Sequence, residues 1–140
     1  MTCDRKQEIA LRIICALNGA CAAIFGMIMM IWADDAPMGL SDLVPALQAL
    51  PLPGFMIENL FWPGLALLLV NGIANIVATA LFSSRKAAAC AWALAAGILL
   101  IGWCAFEMLY LPNVASVFYL VIGIAQTALA AKAMAARTAR

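Results

Sequence analysis

The sequence contains no histidine. That absence removes the commonest general base and the commonest neutral metal ligand, and with them most catalytic constellations. Charge is nearly as scarce. Only 11% of the 140 residues are charged, against about 25% in ordinary soluble domains. A net charge of +1 gives no overall pull toward nucleic acid. The five cysteines (Cys3, Cys15, Cys21, Cys90 and Cys104) are odd in number and form no C-x-x-C pair. A redox motif or a thiolate zinc site therefore has no support, and cysteine in apolar surroundings behaves as a small hydrophobe. No catalytic residue, bound metal or cofactor is expected.

What is present is apolar. The hydrophobic fraction is 67%, against roughly 45–50% in soluble domains, and the mean hydropathy is +1.04. A spanning helix needs about 20 mostly apolar residues. Residues 9–32, 63–82, 87–110 and 114–134 meet that requirement. The links Ser83-Ser84-Arg85-Lys86 and Leu111-Pro112-Asn113 are short enough to make successive helices antiparallel neighbours. The expected fold is all-α: a single membrane domain over residues 1–140, built as a four-helix bundle. Ala20-Cys21-Ala22 faintly resembles a lipoprotein cleavage site, but the apolar run continues to Trp32, too long for a signal h-region. The first segment is therefore read as an uncleaved helix.

Orientation follows from the basic residues. Arg5, Lys6, Arg12, Arg85, Lys86, Lys132, Arg137 and Arg140 all fall on one side of a four-span chain, with only Asp4 and Glu8 against them. The other side holds Asp34, Asp35, Asp42, Glu58 and Glu107. Both termini are thus expected in the cytoplasm, and the chain in the cytoplasmic (inner) membrane of a bacterium. All six prolines lie in or beside the outer connections, so no kinked helix of transporter type is signalled. The outer loop, residues 33–62, is too long for a plain turn. Within it, residues 41–50 read as a short amphipathic helix, capped by Ser41 or Asp42, with Leu43, Leu47 and Leu50 on one face. It is expected to lie flat on the outer surface or over the bundle mouth. Trp32, Trp62, Trp103 and Tyr110 fall near the outer boundary and Trp92 near the inner one, as an aromatic belt would.

Val70-Asn71-Gly72-Ile73-Ala74-Asn75 and Val121-Ile122-Gly123-Ile124-Ala125-Gln126 agree at four of six positions and end amide for amide. Two related helical hairpins would produce that pattern, as would chance among common membrane residues. Counted at 1.5 Å per residue, Asn18, Asn75 and Gln126 all lie roughly 10–13 Å from the inner end of their helices. They share one layer, with Asn71 and Thr79 extending the stripe of Asn75 and with Ala95 and Ala96 leaving room on the third helix. Lipid offers no water, so these amides must face the interior and find partners there. They serve either as interhelical ties or as the lining of a polar cavity. Ala89, Ala93 and Gly97, then Gly123, Thr127 and Ala131, then Ala22 and Gly26, recur at close-packing intervals.

Glu107 is the one acid inside an apolar segment beyond the first turn. No basic residue is available on its side, so it must be hydrated, neutralised, or bonded to neutral donors such as Tyr110 or Asn113. Glu58 and Asn59 enter at the same level and would complete an outer carboxylate site. The candidate ligand-binding residues are therefore Glu107, Glu58, Asn59, Asn71, Asn75, Gln126 and Asn18.

Leu50-Pro51-Leu52-Pro53-Gly54-Phe55, Trp62-Pro63-Gly64-Leu65, Val70-Asn71-Gly72-Ile73 and Ala96-Gly97-Ile98-Leu99, with Trp103 four residues before Glu107, form a pattern over residues 50–125. It resembles a group of small uncharacterised bacterial membrane proteins with four transmembrane helices. The resemblance implies the topology and no activity; of that group's closing glycine motif only Gly123 is matched. The chain differs from disulfide-forming four-helix oxidoreductases, which need paired cysteines, and from small multidrug transporters, whose glutamate sits within the first span. The expectation is a multi-pass protein without enzymatic activity. Its partners would be membrane lipid and either further copies of itself, as a homo-oligomer, or a larger membrane complex. The alternative is a small transporter or binder of a lipophilic or cationic solute. A continuous cavity from Glu107 to Asn71 and Asn75 would favour that alternative.

Overall fold

A computed structural model describes residues 2–34, 37, 39–110 and 114–138. Asp35, Asn113 and Arg140, named above, lie outside the described residues, as do the side chains of Cys3, Asp4, Ser41, Lys86 and Arg137. The first helix, α1, is Thr2–Ile31. It begins a full two turns before the apolar run, because Arg5, Lys6, Gln7 and Glu8 are good helix formers that carry the helix on beyond the hydrocarbon. The second span is composite: α4 (Phe61–Ala66), a π-helical stretch (Leu67–Ile73) and α5 (Ala74–Leu81). The third is α6 (Lys86–Tyr110) and the fourth α7 (Val114–Thr138). No strand occurs among the described residues. Four helices are long and apolar enough to cross a membrane: Arg5–Ile31, Phe61–Leu81, Ala87–Tyr110 and Ser116–Ala136.

The spans pack as a closed ring. α1 lies along the whole second span, α5 on α6, α6 along α7, and α7 back on α1. The inner half of the ring is filled by Leu11 and small apolar groups, including Cys15, Ala78, Ala89, Cys90 and Ala130, each wholly buried. Cys15 and Cys90 are buried in this cluster, Cys104 is buried outside it, and Cys21 is exposed; none of the four is in a disulfide.

The outer loop departs from the expectation of one helix over residues 41–50. It contains a 3-10 turn at Leu40–Leu43, a single α-turn α2 at Val44–Leu47 and another, α3, at Gly54–Ile57. Pro45 at the start of α2 lacks the N–H that would continue a longer helix from before it. The cap position of α2 is Leu43, with no side-chain hydrogen bond, so Asp42 is not its cap; the Ser41 side chain lies outside the described residues. The leucines behave as their spacing implies. Leu47 and Leu50 are buried, and Leu43 and Val44 pack with Leu67 on Met29 and Leu60. The loop thus sits over the outer ends of α1 and α4, tied by the Leu60 N–H to the Ala33 carbonyl at 3.0 Å.

Glycine sets the helix spacing within each hairpin. A Cβ on Gly26 would stand 2.8 Å from the Gly64 carbonyl oxygen, and one on Gly64 would stand 2.7 Å from that of Gly26. The α1 and α4 backbones touch there. In the other hairpin, a Cβ on Gly97 would meet Thr127 Oγ1 at 2.5 Å and the Gly123 carbonyl oxygen at 3.3 Å. The glycines of the sequence repeat play matching parts. Gly72 faces Ala23 of α1, and Gly123 faces Gly97 and Leu100 of α6.

Candidate functional site

Four amides from three spans form one hydrogen-bonded chain. Asn18 Nδ2 of α1 donates to Asn71 Oδ1 at 3.2 Å. Asn75 Nδ2 donates to the same oxygen at 2.9 Å and to the Asn71 backbone carbonyl at 2.8 Å. Gln126 Nε2 of α7 donates to Asn75 Oδ1 at 2.8 Å and to the Ala93 carbonyl of α6 at 2.9 Å. Every helix of the ring is thereby joined. Asn75 and Gln126 are 0% exposed, and Asn18 and Asn71 are 4%. Ala96 is buried beside this layer but Ala95 is exposed, so the room expected at residue 95 is not used. The third helix contributes a carbonyl instead.

One span supplies two amides to the chain because Asn71 and Asn75 are four residues apart on one helical face, and a π-helical stretch ends between them. Asn71 lies in its last turn, where i→i+5 pairing loosens the ordinary ladder. The Asn75 side chain bonds the Asn71 carbonyl there, and one turn later Thr79 Oγ1 donates to the Asn75 carbonyl at 2.8 Å. A side chain inserted into the backbone ladder is a known cause of such local irregularity. The α/π choice leaves no mark in hydrophobic periodicity, so sequence reasoning missed it.

Glu107 is partly buried at the outer end of α6 and holds two neutral donors. Trp103 Nε1–H reaches Oε1 at 2.7 Å, and the Ser116 hydroxyl reaches Oε2 at 2.5 Å. The expected type of partner is present, but the donors are Trp103 and Ser116 rather than Tyr110, which is exposed, or Asn113, which lies outside the described residues. Trp103 therefore turns its N–H inward. Its spacing, four residues before Glu107, puts both on one helical face and was the available signal. Ser116, nine residues on and across a turn, gave none.

Asn59 has its hydrogen bonds elsewhere. Asn59 Nδ2 donates to Asp34 Oδ1 at 3.2 Å, and Asn59 Oδ1 accepts the Phe61 N–H at 3.1 Å at the start of α4. Glu58 is exposed in the turn after α3. The hydrogen bonds of Glu107 come from α6 and α7, while those of Asn59 link the outer ends of α1 and α4. Between Glu107 and the amide chain stand Ala96, Leu100 and Cys104, each at most 1% exposed. Three buried oxygens of the interior have no hydrogen-bond partner among the described residues: Asn18 Oδ1, Gln126 Oε1 and Thr127 Oγ1. No group of three potential metal ligands occurs there either.

The four apolar spans make this chain a multi-pass α-helical membrane protein by class. Compared with known protein families, with curated proteins and with solved structures, it matches none.

Proposed function

We propose that this chain is a non-enzymatic multi-pass protein of the bacterial cytoplasmic membrane, with both termini in the cytoplasm, that associates with itself or serves a larger membrane complex. The observation that carries this reading is how the interior polar groups are used. The amides bond to one another from helix to helix, with buried Cys15, Ala89 and Cys90 on the inner side of that layer and buried Leu100 and Cys104 on the outer side. An interior filled in this way supports a packing role rather than a solute path. Interaction is left to the lipid-facing surface. There α6 presents Ala91, Ala95, Gly102 and Ala105, small residues that let another helix approach.

The test is native mass spectrometry of the full chain released from nanodiscs, together with protease treatment of intact spheroplasts carrying a C-terminal tag. Two or more copies per particle, or a co-purifying membrane protein, is the expected result, with the tag protected. Single copies with no companion, or a tag cut from outside, would overturn the reading. A second prediction concerns the solute-binding alternative. In proteoliposomes, Glu107→Gln should leave proton and monovalent-cation uptake at the level of empty vesicles, as should the unaltered protein. Uptake that depends on Glu107 would restore the transporter.

A further inference from the structure

A trough of about 310 Å³ runs between α1 and α5 on the outside of the ring, lined by Arg12, Ala16, Ala20, Ile76, Thr79 and Ala80. Its origin is in the sequence. Arg12, Ala16 and Ala20 follow one another at four-residue steps on α1, while α5 brings Ile76, Thr79 and Ala80 to face them. Gly19 lets the two backbones close at its floor, where an added Cβ would lie 3.0 Å from the Ile76 nitrogen. Exposed Ile13 and Leu17 follow Arg12 and Ala16 along α1, outside the lining itself. Along α1, Arg12 and Ala20 are separated by roughly 12 Å, so the trough reaches from the basic end of the bundle well into the hydrocarbon.

The two ends of this trough differ chemically. The deep end is alanine and isoleucine. The shallow end holds the Arg12 guanidinium, whose Nη2 donates to Ser83 Oγ at 3.2 Å. That bond uses one of five guanidinium donors and only the acceptor side of the serine, whose own O–H can still donate. A donor on α1 and one in the turn that follows α5 thus converge where an apolar slot meets water. A guanidinium beside a hydroxyl suits a phosphate oxygen pair, and basic recesses between transmembrane helices are where anionic headgroups lodge. A volume near the lower bound of small-ligand sites, roughly 300 Å³, suits part of one acyl chain.

We infer that this trough is a binding site for an anionic phospholipid, with the headgroup phosphate on Arg12 and Ser83 and one acyl chain laid along Ala16, Ala20 and Ala80. The site rests on the reading that these helices span a bilayer, and gives the lipid contact of that reading a place and a charge preference.

The experiment uses the full chain in nanodiscs containing equal phosphatidylglycerol and phosphatidylcholine, with lipid retained on the released protein read by native mass spectrometry. The unaltered protein should retain phosphatidylglycerol about fivefold over phosphatidylcholine, the preference expected of one cationic side chain near an anionic headgroup. Arg12→Gln should abolish that preference. Arg12→Lys should keep part of it, because the charge remains and the planar fork does not. Ala80→Leu should also lower retention with Arg12 intact, by filling the slot. Arg5→Gln removes a charge from the same end outside the trough and should change little. Equal retention of the two lipids, or a fall for Arg5→Gln as large as for Arg12→Gln, overturns the site and leaves the membrane reading standing. A chain that fails to enter nanodiscs at all overturns both.

Discussion

Asn75→Leu is expected to destabilise the bundle by about 2–3 kcal/mol, more than any other replacement of a single interior polar residue. Interhelical hydrogen bonds in membrane proteins average only about 0.6 kcal/mol and reach about 1.7, so a large effect needs a residue that makes several. Asn75 makes three through its side chain: two to Asn71 and one from Gln126. The loss also leaves a Gln126 amide hydrogen facing leucine in a dry interior, a cost distinct from the bond itself. Reversible unfolding in mixed detergent, followed by helical circular dichroism, measures it. The paired change Asn75→Leu with Gln126→Leu should recover part of the loss, because it removes both partners together. A shift below about 0.5 kcal/mol for the single change, the range of an uninvolved site, would mean that the amide chain does not hold the helices.

The second large effect lies at the glycine contact between α1 and α4. Gly64→Val should cost about 3 kcal/mol or more, the upper range for overpacking. The new side chain would meet the Gly26 carbonyl oxygen and Met29 Cβ, each 2.7 Å from the first added carbon. Neither neighbour is the far end of a flexible side chain, so the helices must move apart. That movement also lifts the loop leucines off Met29 and Leu60. Gly64→Ala should cost less, and Gly26→Val should resemble Gly64→Val. Gly102→Ala is the control, since nothing lies within 4 Å of its added carbon, and it should be neutral. The same unfolding measurement ranks the four. Equal stability of Gly64→Val and Gly102→Ala would contradict the close approach.

These two sites show how unequally the sequence disclosed its structure. The spans were legible because a bilayer demands length and apolarity together, and both can be counted. The burial of Asn18, Asn75 and Gln126 followed from the same solvent argument, and their common layer from helical rise. Their order of bonding did not follow. Which amide donates to which, and that Ala93 supplies a carbonyl rather than Ala95 a space, depends on helix rotation to within a fraction of a turn. For the expected outer carboxylate site the structure adds hydrogen-bond partners: Trp103 and Ser116 for Glu107, Asp34 and Phe61 for Asn59. Depth along a helix is one-dimensional information, whereas Glu107 and Asn59 face different partners around the ring.

The sequence by itself determined how many times the chain can cross, where its charge is concentrated and which polar groups must be hidden, because each is a matter of transfer from water to hydrocarbon, residue by residue. Only the tertiary structure decided how the small-residue stripes are used. Ala89, Ala93 and Gly97 are spent inside the ring, Ala131 is exposed while its neighbour Ala130 is buried, and Asn71 is buried within a π-helical stretch. The reason is geometric. Small residues permit close approach on any face, and the rotation of each helix against its neighbours selects the face that is used.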